Sequence, residues 1–228
     1  MLNFLSVDWD YFVGADNQQR LLHFPDTPNE NYPKYLQDFI WHSRYADDSE
    51  IEKIAVNPLA YKFADMVRYI PKVCVCDSHK YAYTFALMEL SERNEKSINL
   101  LNIDFHSDWR KDEKDLDCGN WLTWLMKQIK GNYTWLGYKD SYYPRPKELK
   151  FRTDFNRCQI DKTKWDVLFI CRSDMWSPPH LDEEFTKIFK PIVDNKDGVI
   201  QRGIWESRYN LRAIKLQRQM LADFKNRK

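Results

Sequence analysis

Three residues with metal-binding side chains alternate in the middle of the chain. Asp104, His106 and Asp108 are separated by single residues and follow a short apolar run at residues 98–101. In an extended segment, residues i, i+2 and i+4 point to the same side. Two carboxylates and an imidazole that converge favour a hard or borderline divalent cation. The spacing therefore predicts a metal site, and the alternative is a strand-end loop with solvated acids.

Two other segments place similar side chains after short apolar runs. Asp8 and Asp10 follow a predicted strand at residues 2–7, and His79 follows another at residues 72–76. Alone, the acid pair would be read as a turn and the His as a cap. In an open α/β sheet, however, ligands bind beyond the carboxyl ends of the strands. We therefore expect these three side chains to join the central cluster.

Strand patterns alternate with helical patterns along the rest of the chain. Besides the strands above, the apolar spacing predicts strands at residues 133–137 and 166–171. It predicts helices at 33–45, 51–69 (with a kink or restart at Pro58), 80–93, 181–190 and 208–228, and another helix opens near 121. Residues 13–32 are predicted as a loop. Such alternation is typical of a parallel sheet covered on both faces. We expect one three-layer α/β/α domain over residues 1–228 with a mainly parallel sheet.

Composition excludes several classes of protein. The 228 residues are 43% hydrophobic and 30% charged, as in globular domains, and 35 Lys and Arg nearly balance 34 Asp and Glu. This balance gives no electrostatic case for a nucleic-acid or membrane partner. We find no secretory signal and no apolar run of about 18 residues. Five Cys without a CxxC pair lead us to expect a reducing cytoplasm.

Four segments resemble those of the ureohydrolases, the arginase and agmatinase group with a binuclear manganese site. Residues 104–108 resemble the Asp-x-His-x-Asp motif, and residues 77–79 resemble the Gly-Asp-His-Ser segment, whose His is a ligand. Residues 6–10 resemble the Ser-Phe-Asp-x-Asp segment, which supplies two more ligands. Residues 118–120 are similar to the Ser-Gly-Asn segment that contacts substrate. The pattern is closest to the peptide arginases of ribosomal-peptide maturation.

Two departures from that family stand out. The segment at residues 6–10 comes first here, whereas the ureohydrolases carry it late, so the topology would be permuted. A sheet tolerates this order if the chain termini lie close together. Leu122 stands where arginases have a His implicated in proton shuttling. Proton transfer would then need another group, unless metal-bound water suffices.

The resemblance implies an arginase/deacetylase-like fold and a metal-dependent hydrolase that converts peptidyl arginine to ornithine and urea. Its partner would be an arginine-containing peptide or precursor peptide. Two Mn²⁺ ions would be bound, with Asp104 and Asp8 bridging, by Asp8, Asp10, His79, Asp104, His106 and Asp108. Catalysis would use Asp108, and Asn120 would contact the substrate. The acid that orients the guanidinium does not align with the family motifs, and Asp174, with Arg172 beside it, is our candidate for it. Trp9, Trp109 and Trp176 are candidates for the walls of the cleft.

Three alternative functions stay open at this point. The same fold can act on another C–N bond, as an amide deacetylase or an amidine hydrolase. The protein can also bind metal without turnover, which Leu122 makes credible. An unrelated phosphatase or nuclease lacks support, because no Gly-rich phosphate loop occurs among only six Gly.

Overall fold

In the part of the chain that the structure describes, seven parallel strands form one sheet in the order β5-β4-β3-β1-β6-β2-β7. The computed structural model describes residues 1–26, 29–111, 114–139, 143, 146–158, 160–194 and 196–226. The strands are β1 Leu2–Asp8, β2 Lys72–Cys76, β3 Ser97–Ile103, β4 Lys130–Leu136, β5 Lys150–Arg152, β6 Val167–Cys171 and β7 Asp197–Ile200. Because the sheet is parallel, the carboxyl ends of all its strands lie at one edge.

The first strand lies inside the sheet, between β3 and β6. Leu5 pairs with Leu101 on one side and with Leu168 on the other. This position confirms the expectation that the first strand meets the strand that leads to the central cluster. β2 pairs with the other side of β6, so the end of β2 lies two strands from the end of β1.

Helices cover both faces of the sheet, as the sequence predicts. They are α1 Asn17–His23, α2 Lys34–Asp47, α3 Leu59–Val67, α4 Tyr81–Glu92, α5 Trp121–Gln128, α6 Asp182–Val193 and α7 Leu211–Asn226. Alternate strand residues enter two apolar clusters. Leu5 and Val7 pack with α3 and α6, whereas Leu2 and Phe4 pack with α4 and α5. Burial on both faces explains the nearly continuous apolar runs of the central strands.

The structure confirms one predicted helix restart and corrects other predicted elements. The expected restart at Pro58 within residues 51–69 is confirmed: a 3-10 helix at Ser49–Lys53 comes first, and α3 begins directly after Pro58. The predicted loop at residues 13–32 contains α1. β5 and β7 were not predicted, and each has only three or four residues at an edge of the sheet.

Two further observations concern membrane-spanning helices and disulfide bonds. Within the described residues, no helix is long and apolar enough to cross a membrane. All five cysteines are free thiols.

Buried ion pairs fix the chain that follows β6. Asp174 is buried and receives two hydrogen bonds from Arg172, of 2.6 and 3.0 Å. Lys34 of α2 pairs with the same carboxylate. Arg208 donates to the carboxylate of Asp182 at 2.6 and 2.8 Å and lies 3.6 Å from that of Asp174. The network ties β6, α2, α6 and the segment before α7 together at the edge of the sheet.

Removing Arg208 tests how much this network stabilises the fold. Arg208→Ala leaves the buried Asp182 carboxylate without its main cation, so we expect the free energy of unfolding to fall by about 3–5 kcal/mol. Arg218→Ala, at an exposed arginine that donates to the Tyr45 carbonyl, should change it by roughly 0.5 kcal/mol or less. Urea denaturation of both variants measures the difference, and equal effects would contradict a structural role for the network.

Candidate metal centre

The first of two donor clusters surrounds the imidazole of His79. Its Nδ1 atom lies 3.2 Å from Asp8 Oδ2, 3.0 Å from Asp104 Oδ2 and 3.0 Å from Asp108 Oδ2. The other ring nitrogen, Nε2, is hydrogen-bonded to Ser6 Oγ at 2.7 Å. With the proton on Nε2, the lone pair of Nδ1 is free for a cation. We call this cluster, formed by Asp8, His79 and Asp104, position A.

The second cluster, position B, is formed by Asp10, Asp104 and His106. His106 Nδ1 lies 2.8 Å from Asp10 Oδ2 and 3.7 Å from Asp104 Oδ1. Asp104 therefore presents Oδ2 to position A and Oδ1 to position B. Asp8 belongs to position A alone, and its Oδ1 accepts the Asp10 backbone N–H at 2.9 Å. The structure thus places Asp104, but not Asp8, between the two clusters.

The donor atoms of both positions fit divalent cations. In each cluster they lie within 4.8 Å of one another. His79 Nδ1 and Asp10 Oδ2 are buried and make no hydrogen bond, although carboxylate or imidazole atoms lie close by. Such atoms are costly to bury unless a ligand satisfies them. Carboxylate oxygens with imidazole nitrogens are suitable ligands for a divalent metal ion. The residues present therefore fit a metal site.

Hydrogen bonds from a backbone N–H and from an indole N–H orient two of the carboxylates. The His106 backbone N–H donates to Asp104 Oδ1 at 2.7 Å, and the Trp121 indole N–H donates to Asp108 Oδ2. Asp108 has a φ of 49°, a conformation that non-glycine residues seldom adopt. Non-glycine residues in such conformations are enriched at functional sites. The backbone and α5 therefore hold the acids in place before any ligand binds.

Burial and mutual repulsion shift the protonation of the cluster. Burial, with the charges of Asp10 and Asp104, raises the pKa of Asp8 to about 7. Burial would lower the pKa of His106, but Asp10 and Asp104 raise it to about 10. Burial and the charge of Asp104 likewise raise the pKa of Asp108. Without a metal ion, the cluster therefore retains protons that a cation would displace.

A cavity of about 250 Å³ opens onto both positions. Its lining includes Asp8, His79, His106 and Asp108, with Trp109 and Trp176 as aromatic walls. The ring centroid of Trp176 lies 4.6 Å from that of His106. Trp9, the third tryptophan suggested for the cleft, instead packs edge-on against Phe185 and Phe189 in the core.

Glu30 lines the same cavity and was missed by the sequence analysis. Its Oε2 accepts the Ser78 hydroxyl, whereas its Oε1 is buried and has no hydrogen-bond partner. Burial raises the pKa of this carboxyl to about 8, with a further contribution from the charge of Asp8. Glu30 lies in the segment between α1 and α2, where no periodic pattern indicated its position.

Asn120 and Asp174 do not lie where their predicted roles would place them. Neither residue is part of the cavity lining. Asn120 is buried; its amide donates to the Asp115 carbonyl and its Oδ1 accepts the Asp117 N–H, so it shapes the loop before α5. Burial would raise the pKa of Asp174, but Arg208 and Arg172 lower it. That carboxylate is already paired with cations of the chain. Leu122 is buried in the apolar cluster beneath α5.

Comparisons with protein-family models, with characterised proteins and with solved structures give no match to this chain. The ureohydrolase resemblance therefore depends on the motifs alone.

Replacing the shared carboxylate should remove metal from both positions. Asp104→Asn takes a charged oxygen from each cluster at once, so we expect the Mn²⁺ bound per chain to fall to less than half of that bound by the unsubstituted chain. Asp77→Asn is the control, because this nearby acid pairs with Gln201 and belongs to neither cluster. Elemental analysis after dialysis against Mn²⁺ measures both variants. Undiminished metal in Asp104→Asn would contradict the shared site.

Metal binding should release protons and tighten as the pH rises from 6 to 8. The raised pKa values of Asp8, about 7, and of His106, about 10, mean that protons compete with the cation for these groups. Titration calorimetry in two buffers of different ionisation enthalpy measures the protons released. Heats that do not depend on the buffer would refute this protonation scheme.

Proposed function

We propose that the protein is a binuclear manganese hydrolase that cleaves the guanidinium C–N bond of arginine side chains in a peptide, yielding ornithine and urea. The observation that carries the proposal is the shared Asp104 carboxylate, whose two oxygens face two adjacent donor clusters. Paired metal sites with ions about 3.5–4 Å apart are common in hydrolases.

The donor set supports the choice of metal and of reaction. Four carboxylates and two imidazoles suit Mn²⁺, whereas structural zinc sites are usually closed tetrahedral sites rich in cysteine or histidine. When bound, two such cations supply a nucleophile by lowering the pKa of water. The side chains of the chain itself hold the cations through Asp8, Asp10 and Asp104 and exclude bulk water with Trp109 and Trp176.

A guanidinium is a cation, so the cavity must offer it a negative partner that the metals do not use. Glu30 meets this requirement once it is ionised: its Oε1 is buried in the cavity wall without a hydrogen bond, and a bound guanidinium would displace the proton that the raised pKa of about 8 lets this carboxyl keep at neutral pH. A charge-assisted hydrogen bond to a substrate N–H would satisfy that atom. We therefore assign to Glu30 the role for which Asp174 was the candidate in the sequence analysis. The aromatic walls suit the aliphatic stem of an arginine side chain.

The peptide as substrate is inferred from the resemblance to the peptide arginases. That resemblance includes the Ser-x-Asp-x-Asp-Tyr-Phe opening at residues 6–12 and the Ser-Pro-Pro-His-Leu-Asp-Glu stretch at residues 177–183. The second stretch follows Trp176, so both stretches lie next to residues of the cavity.

Urea release tests the proposed reaction directly. We expect the Mn²⁺-loaded chain to release urea from arginine-containing peptides, and to do so faster than from free arginine. Acetyl-lysine peptides should give no product. Asp108→Asn should abolish urea release while far-ultraviolet circular dichroism stays unchanged. Deacetylation without urea, or no turnover on any peptide in the presence of bound Mn²⁺, would overturn the proposal.

Glu30→Gln tests the assignment of the cation partner. Loss of one charge-assisted hydrogen bond, about 1.5–3 kcal/mol, should lower kcat/KM for arginine peptides by roughly 10- to 100-fold. Inhibition by the uncharged citrulline peptide should stay the same, because the glutamine side chain keeps the shape of the wall. Glu50→Gln, at an exposed acid of the 3-10 turn, is the control. An equal loss of affinity for both peptides would show a structural role instead.

A further inference from the structure

A cation of the chain lies beside position B. Arg20 of α1 places Nη1 3.7 Å from Asp10 Oδ2, the oxygen that faces His106. An arginine keeps its charge at any pH at which the protein is folded. The Asp10 carboxylate therefore shares its negative charge between this guanidinium and whatever occupies position B.

Packing and hydrogen bonds hold the guanidinium in this place. Nε donates to the Ala15 carbonyl at 3.1 Å, and Nη2 donates to the Asp10 carbonyl at 2.5 Å. The carbon Cζ lies 3.7 Å from the ring centroid of Phe105. Arg20 is only 8% exposed, so solvent screens its charge weakly. The side chain cannot swing away when a cation arrives without losing these contacts.

The approach of Nη1 to Asp10 is electrostatic and leaves the carboxylate oxygen available. Both Nη1 and Asp10 Oδ2 are buried, and neither makes a hydrogen bond. Asp10 Oδ2 is therefore available as a metal ligand. The positive charge of Arg20, however, reduces the attraction of this oxygen for a second cation.

Position A has a different electrostatic environment. Asp8, Asp104 and Asp108 all surround His79 Nδ1, and their ion-pair partners among the described residues are imidazoles. Among the described residues, the two carboxylates of position A pair with no arginine or lysine, and Asp108 adds negative charge close to His79. Position B has the fixed cation of Arg20 beside Asp10.

We infer that the two positions bind metal unequally, with position A filled first and tightly, and that Arg20 weakens position B. This inference depends on the metal centre of the proposed function. At Mn²⁺ concentrations between the two dissociation constants, the chain would hold one ion and lack the pair that the reaction requires. Arg20 would then make activity depend on the supply of the metal.

Titration of Mn²⁺ into the metal-free full-length chain tests the order of binding. We expect two binding events whose dissociation constants differ by about 10- to 100-fold, the usual size of outer-shell effects on metal affinity. Asp10→Asn should remove the weaker event and keep the tighter one, whereas Asp8→Asn should remove the tighter event. Two equal events, or loss of the tighter event in Asp10→Asn, would overturn the inference.

Variants of Arg20 test the cause of the difference. Arg20→Gln removes the charge, so the weaker event should tighten toward the stronger one, while Arg20→Lys keeps the charge and should keep the gap. Arg44→Gln is the matched control, because Arg44 also donates to backbone carbonyls of α1, those of His23 and Leu22, and lies in neither cluster. Thermal unfolding of the metal-free variants checks that each is folded. An unchanged or weaker second event in Arg20→Gln would contradict the inference.

Metal titration and the urea assay can refute the two proposals independently. Unequal binding without urea release would refute the proposed reaction and leave the Arg20 inference standing. Urea release together with two equal Mn²⁺ dissociation constants would support the proposed reaction and refute the Arg20 inference. No Mn²⁺ binding at all would overturn both.

Discussion

The repulsion among four buried carboxylates is the constraint on which the rest of this structure depends. Asp8, Asp10, Asp104 and Asp108 are each at most 5% exposed and converge at the ends of strands that sit inside a sheet. Burying such charges is unfavourable unless cations compensate them. The raised pKa values of Asp8 and Asp108 are one response of the molecule to this cost, and a bound divalent cation would be another.

Sheet topology is what brings the acids together. The chain begins with β1, which pairs with β3 on one side and with β6 on the other. The first acids of the sequence therefore lie next to Asp104, although more than ninety positions separate them along the chain. A parallel sheet accommodates this arrangement because every strand delivers its following residues to the same edge. The order of the motifs along the chain matters less than the order of the strands in the sheet.

Much of this arrangement could be predicted from the sequence, because its signals are local. The apolar runs of β1, β2 and β3 end directly at acids or near a histidine, and a buried strand followed by polar residues is recognisable without coordinates. The α/β class follows from the alternation of strand and helix patterns. The two short strands β5 and β7 were missed, since three or four residues carry too little pattern.

The residues that escaped prediction owe their positions to tertiary contacts. Glu30 and Arg20 come from a segment predicted as a loop, and no periodicity shows that either side chain reaches the metal cluster. One local signal was available, because a capping box marks the start of α1. Asp174 presents the opposite case. Its position at the end of β6 suggested a substrate contact, but Arg172 and two cations that are distant in the sequence, Arg208 and Lys34, compensate its charge.

The central claim is that one carboxylate joins two cations, and anomalous diffraction from crystals soaked in Mn²⁺ tests it most directly. We expect two anomalous peaks about 3.5–4 Å apart on either side of the Asp104 carboxylate. One peak would lie against His79 Nδ1 and the other against His106 Nδ1. A single peak at full Mn²⁺ saturation, or two peaks that do not share Asp104, would contradict the claim.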